Sequence, residues 1–259
     1  MYIRYEAADR IATITLDRPE AANAQNSELL DELDAAWTRA AEDPDVSVIV
    51  LRGEGKHFSA GHDLRAGSKE KVDKITLQLV YENEARRYLE YSLRWRNIPK
   101  PTIAAVQGRC IAGGLLLCWP CDLIVAADDA QFSDPVVLMG IGGVEYHGHT
   151  WELGPRKAKE ILFTGRSVTA EEARQVGMVN QVVPRAELDE QTRALAAKIA
   201  TMPPFGLRQA KRAVNQTLDV QGFYAAIQSV FDVHQTGHGH ALSVSGYPIL
   251  AQLDEMKSQ

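Results

Sequence analysis

Two apolar stretches of strand length each run into a glycine loop, and this pairing narrows the fold more than any other feature. Val46–Leu51 leads to Phe58-Ser-Ala-Gly-His-Asp63, and Thr102–Gln107 leads to Gly108-Arg-Cys-Ile-Ala-Gly-Gly114. A nearly continuous apolar run suits a strand covered on both faces, as in a sheet wrapped by helices. Glycines permit close backbone approach to a ligand. They also let backbone N–H groups aim at developing negative charge, as an oxyanion hole requires. Either loop alone is more often a tight turn; two together point to a site.

The remaining pattern is α/β. Arg10–Leu16 is β-branched and reads as a strand ended by Asp17-Arg-Pro19. Ser27 reads as the N-cap of a helix over Glu28–Glu42, with Leu29, Leu30, Leu33, Ala36 and Trp37 at helical spacing. A polar, helical stretch is expected from Ser68 to about Arg96, then a strand at Asp122–Ala127. A loop rich in Gly and His spans residues 140–148, and helices dominate from Trp151 onward.

Composition excludes several classes. The 259 residues carry 28 Lys+Arg against 34 Asp+Glu, a net charge of −6, so nucleic acid is not expected as a partner. No apolar run reaches the roughly 20 residues of a membrane span, and the N-terminus lacks a hydrophobic signal core. Three cysteines, Cys110, Cys118 and Cys121, do not make a secreted disulfide scaffold. These features lead us to expect a cytoplasmic location and no membrane partner.

Other constellations invite chemistry and are discounted. Cys118-Trp-Pro-Cys121 has dithiol spacing, but it ends an apolar run and reads as small buried residues at a helix end. His147/His149 and His234/His238/His240 are types that ligate metals, yet such spacing also suits turns and surfaces, so no metal is expected. The elbow G-x-S-x-G and the phosphate loop G-x-x-x-x-G-K-[ST] are both absent.

At the two glycine loops the chain resembles the crotonase superfamily, the enoyl-CoA hydratase/isomerase family. The likeness runs from Ile11 to about Lys211. It includes Leu16-Asp-Arg-Pro-Glu20 with Asn23 and Asn26, Val50-Leu-Arg-Gly53, His57-Phe-Ser-Ala-Gly-His-Asp-Leu64, Lys100-Pro-Thr102 and Val106-Gln-Gly108. Further on it takes in Ala112-Gly-Gly114, Cys121-Asp122, Ala130-Gln-Phe132 with Pro135, Leu162-Phe-Thr-Gly165 and residues 173–179.

The resemblance implies a spiral of ββα units over residues 1–195 and a helical C-terminal trimerisation region over 196–259, giving a homotrimer or hexamer. It also implies an acyl-CoA thioester as substrate, with no other cofactor. The N–H groups of His62 and Gly113 would form the oxyanion hole, and Ser59, Ala60 and Gly61 would lie beside CoA. Lys211 and Arg212 would neutralise its phosphates. Phe223, Ile227, Val230 and Phe231 form an apolar face suited to a core or a neighbouring subunit.

The family's two hydratase glutamates are replaced here by Leu116 and Val136, which cannot move protons. Both would instead line a dry acyl pocket. Related isomerases and dehalogenases place a working aspartate in the following loop, where this chain has Glu145. The resemblance offers Glu145 for the acid/base role, with His147 or His149 to orient it or relay its proton; the other reading of Glu145 is a solvated loop residue. The alternative is a catalytically inactive acyl-CoA-binding protein. A peptide hydrolase is disfavoured, for want of a nucleophile–base pair.

Overall fold

The chain winds outward in successive turns, each giving one segment to a large sheet and the next to a smaller second layer. The computed structural model describes residues 1–64 and 75–250, so the start of the helical stretch read from Ser68 lies outside the described residues. The large sheet contains β1 (Ile3–Ala8), β2 (Ile11–Leu16), β3 (Val48–Gly53), β4 (Thr102–Val106), β6 (Leu123–Ala127) and β9 (Gln181–Val183), in the order β1-β2-β3-β4-β6-β9. Only the β1–β2 hairpin is antiparallel; the other pairs in this sheet are parallel.

The second layer holds β5 (Arg109–Ile111), β7 (Gln131–Ser133) and β8 (Val168–Thr169). Parallel bridges extend it, pairing Ser59 with Cys110 and Gln25 with His62. The segments after β2, β3 and β4 are thereby stacked beside one another. That stacking brings two glycine loops, fifty residues apart in sequence, into contact.

Both faces of the large sheet are buried, as its apolar runs imply. Ile14, Leu16, Ile49, Leu51, Ala104 and Val106 pack with α1 (Ser27–Glu42) in the main core. On the other face Ile11, Val48, Val50, Ile103 and Val125 pack under α7 (Leu188–Ala200). The cap of α1 falls one residue earlier than the sequence reading placed it. Asn26 Oδ1 accepts from Leu29 N at 2.8 Å, and Ser27 is the first helical residue.

Two helical assemblies frame the site. The chain from α2 (Leu77–Glu84) passes through a π-helical stretch, Ala85–Glu90, into α3 (Tyr91–Arg96). A π stretch shifts the facing of the side chains around it and often marks a functional site. Further on, the short α4 (Leu115–Cys118) follows the second glycine loop, α5 covers His149–Thr164 and α6 covers Ala170–Gln175. Beyond α7 come α8 (Pro204–Val220) and α9 (Phe223–Ser245). Phe223, Ile227 and Phe231 are buried within the chain itself, so this face of α9 is internal, and Val230 is half-buried. No described helix is long and apolar enough to cross a membrane.

Candidate active site

The first glycine loop is held open by side chains from the segment after β2. Asn23 takes a left-handed φ of 53°. Its Nδ2 donates to the carbonyls of Glu54, His57 and Phe58 at 2.9–3.0 Å. Ser59 is fully buried, and its hydroxyl donates to Asn23 O at 2.9 Å while accepting from Gly61 N at 3.2 Å. Ala60 N donates to Ala22 O and Ser59 N to Arg109 O. The N–H groups of Ser59, Ala60 and Gly61 are thus spent on shaping the loop.

His62 differs. The bridge to Gln25 uses the carbonyl of Gly61 and the N–H of Asp63, so the N–H of His62 lies between them, outside that pair of bonds. Gly113 sits in the first turn of the 3-10 segment Ala112–Gly114, where N–H groups lack intrahelical partners. Gln25 Nε2 donates to Gly113 O at 2.8 Å and ties the two loops together. A Cβ on Gly61 would come within 3.1 Å of Gly113 N, and one on Gly113 within 2.5 Å of the His62 ring. Only glycines allow this approach.

Glu145 is 1% exposed, and neither carboxylate oxygen has a hydrogen-bond partner among the described residues. Its Oε1 lies 3.4 Å from His62 Nε2 and 4.0 Å from His234 Nε2. The His62 ring stacks on Tyr88 of the π stretch with centroids 3.9 Å apart. Burial, with Glu145 and Glu84 nearby, pushes the Tyr88 phenol well above its usual range.

The loop carrying Glu145 is anchored by Asp134. Asp134 Oδ2 accepts from Val144 N at 2.9 Å and lies 2.8 Å from His149 Nε2. Burial opposes its charge, yet His149 and the backbone donors hold the carboxyl below its usual value. His149 is therefore spent on Asp134 and does not orient Glu145, contrary to the sequence expectation. His147 packs against His149, and burial with that neighbour brings it down to about 4.

The proton-bearing neighbours of Glu145 come from elsewhere. His234 on α9 meets Gly143 O through Nδ1 at 2.7 Å and Glu84 Oε2 through Nε2 at 3.2 Å. Burial disfavours its imidazolium, but Glu145 and Glu84 outweigh that and push the ring up to about 9. His238 lies one turn further along α9, with Nε2 3.3 Å from Glu84 Oε1.

Leu116 and Val136 are both buried, and the Leu116 carbonyl accepts from Ser92 Oγ. Lys211 is a structural cation: its side chain is 7% exposed, and its Nζ lies 2.9 Å from Asp122 Oδ2 and donates to Lys100 O, so it is engaged within the fold rather than presented to a phosphate as expected. Cys118 is buried beside Cys110, with sulfurs 3.8 Å apart and both thiols free. The sequence reading used His62 for its N–H and missed Glu84 and Tyr88. No spacing signal marks those two residues, because the π stretch decides where they face.

Relatives agree with this architecture. The family model described as enoyl-CoA hydratase/isomerase matches residues 6–241. The EchA13 protein of Mycobacterium tuberculosis is 44% identical over 95% of this chain and 83% of its own length. A solved structure named a probable enoyl-CoA hydratase, from Mycobacterium thermoresistibile, is 80% identical with a TM-score of 0.94, covering 96% of this chain and all of that one. A second, similarly named structure from Mycobacterium smegmatis is 78% identical with a TM-score of 0.93, over 96% of this chain and 100% of that one. With its spiral core and paired glycine loops, the chain belongs to the enoyl-CoA hydratase/isomerase family.

Proposed function

We propose that this protein binds an acyl-CoA thioester, polarises its carbonyl through the N–H groups of His62 and Gly113, and moves one proton with Glu145. The observation that carries this reading is the buried Glu145 carboxylate, without a hydrogen-bond partner among the described residues and 3.4 Å from His62 Nε2. In the first step Glu145 takes a proton from the carbon beside the thioester carbonyl. The C–H electron pair passes into the enolate, whose oxygen is held by the two N–H groups. The same carboxyl then returns the proton to a carbon of the conjugated system, which yields an isomer. His62 and His234 flank the carboxyl and steady its charge before the first transfer and after the second.

Simple hydration needs two proton-moving groups around the double bond. Leu116 and Val136 supply none, so one-base isomerisation is the reaction class that fits. The test is turnover of a panel of enoyl-, dienoyl- and hydroxyacyl-CoA thioesters, alongside titration with CoA and a medium-chain acyl-CoA. Glu145→Gln should cut turnover of the best substrate by at least about a hundredfold while thioester binding persists. Binding without turnover of any thioester favours an acyl-CoA-binding protein, and no binding at millimolar ligand overturns the reading.

A further inference from the structure

We propose that Glu84, His234 and His238 form a binding site for one divalent transition-metal ion of the zinc class. The two histidines lie at i and i+4 on α9, the spacing that puts both rings on one helix face. Glu84 ends α2 and faces them, and all three residues are buried. The donor atoms stand close together: His234 Nε2 to His238 Nε2 is 3.1 Å, His234 Nε2 to Glu84 Oε2 is 3.2 Å, and His238 Nε2 to Glu84 Oε1 is 3.3 Å. Ligands about 2.0–2.1 Å from a tetrahedral zinc ion stand about 3.3 Å from one another. These separations match the spacing of ligand atoms around one ion, with Glu84 turning one oxygen to each histidine.

The surrounding contacts are those of ligating histidines. His234 Nδ1 lies 2.7 Å from Gly143 O, and His238 Nδ1 lies 2.7 Å from Pro248 O. A carbonyl only accepts, so each Nδ1 carries the hydrogen. That turns each Nε2 toward the cluster, where a metal ion would displace any proton it carries, as metal-bound imidazoles require. Two Nε2 atoms 3.1 Å apart beside a carboxylate offer three ligands to one cation. Gln235 Nε2 donates to Glu84 Oε2 at 2.6 Å and fixes the carboxylate from outside the cluster.

Charge points the same way. Glu84 and Glu145 are both buried, and Glu145 Oε1 is 4.0 Å from His234 Nε2. A dication offsets two carboxylates where a single shared proton offsets one. Glu145 Oε1, which has no hydrogen-bond partner among the described residues, lies on the His234 side of the proposed ion. The site shares His234 with the reaction proposed above, and its test does not depend on turnover.

The experiment uses the full chain, purified without a histidine tag. Elemental analysis follows, then stripping with a chelator and titration with Zn2+ and with Co2+ as a spectroscopic probe. Binding of one equivalent per chain, with the visible absorption of tetrahedral cobalt, is the expected result. His238→Gln and Glu84→Gln, checked for folding by circular dichroism, should weaken binding by at least about tenfold. Should a variant fail to fold, the cobalt titration of the wild-type chain still decides. Stripped, folded wild-type protein that binds neither ion at millimolar concentration overturns the proposal, as does undiminished binding in folded His238→Gln. In either case protons shared by the imidazoles bridge the cluster.

Discussion

Asp134 Oδ2 lies 2.8 Å from His149 Nε2 with both side chains fully buried, and the contact closes the loop that presents Glu145. Asp134 sits just after β7, whereas His149 opens α5, so the contact fixes the two ends of the connection. The same carboxylate accepts from Val144 N, the residue before Glu145. Removing the carboxylate leaves His149 and the Val144 N–H without their acceptor, at about 1–3 kcal/mol for each group. Asp134→Ala is therefore expected to destabilise the fold by several kcal/mol, read from its denaturant midpoint. It should also lower kcat on the best substrate, because Glu145 loses its anchor. Unchanged stability shows that the pair does not hold the loop.

Gly113→Ala tests the contact between the two glycine loops. Its new Cβ falls 2.5 Å from His62 Cδ2 and 2.8 Å from Gln25 Oε1, so the ring or the loop must shift. Either movement misplaces an oxyanion donor, and loss of one such donor costs about 10²–10³-fold in kcat. The expected result is a folded protein with turnover reduced by about that factor. Full turnover shows that the donors lie elsewhere.

The glycine loops were legible because they depend on local chemistry that sequence displays: an apolar strand, then small residues. Glu145 was placed only through a family position, and its burial needed the fold. Glu84 and Tyr88 were not legible, because a π-helical stretch changes which residues face inward, and its polar sequence resembles an ordinary surface helix. The His234/His238 cluster was visible, but its partners lie far away: Glu84 is 150 residues from His234, and Gly143 is 91. Strand β1 escaped notice since, as an edge strand, it buries only Ile3.

Assembly is open to direct measurement. Helix α8 buries no residue within the chain and exposes Phe205 (72%), Val214 (62%) and Val220 (89%). Apolar side chains exposed to that degree along one helix are suited to burial between subunits. Light scattering is expected to give three or six times the 28.6 kDa of one chain. A mass near one chain refutes the trimer, and polar substitution of Phe205 should shift the protein toward smaller species.

The last prediction concerns pH and Glu152, a half-buried residue in the first turn of α5. Burial pushes its carboxyl up to about 7, from an ordinary value of 4.5. Between these two pH values the folded state holds a proton that the unfolded chain releases. Stability therefore falls as pH rises through that window, and the deficit persists above it. The full shift sets an upper bound of about 3 kcal/mol, and partial access to solvent reduces it to about 1–2 kcal/mol. Glu152→Gln keeps the shape without the charge, so it should leave stability at pH 4.5 unchanged and raise it at pH 8. Denaturant unfolding at both pH values, at one fixed protein concentration because any assembly adds to stability, measures the difference. If the variant and the wild type lose stability equally between pH 4.5 and pH 8, Glu152 is ionised in the folded protein and its environment is wetter than its burial implies.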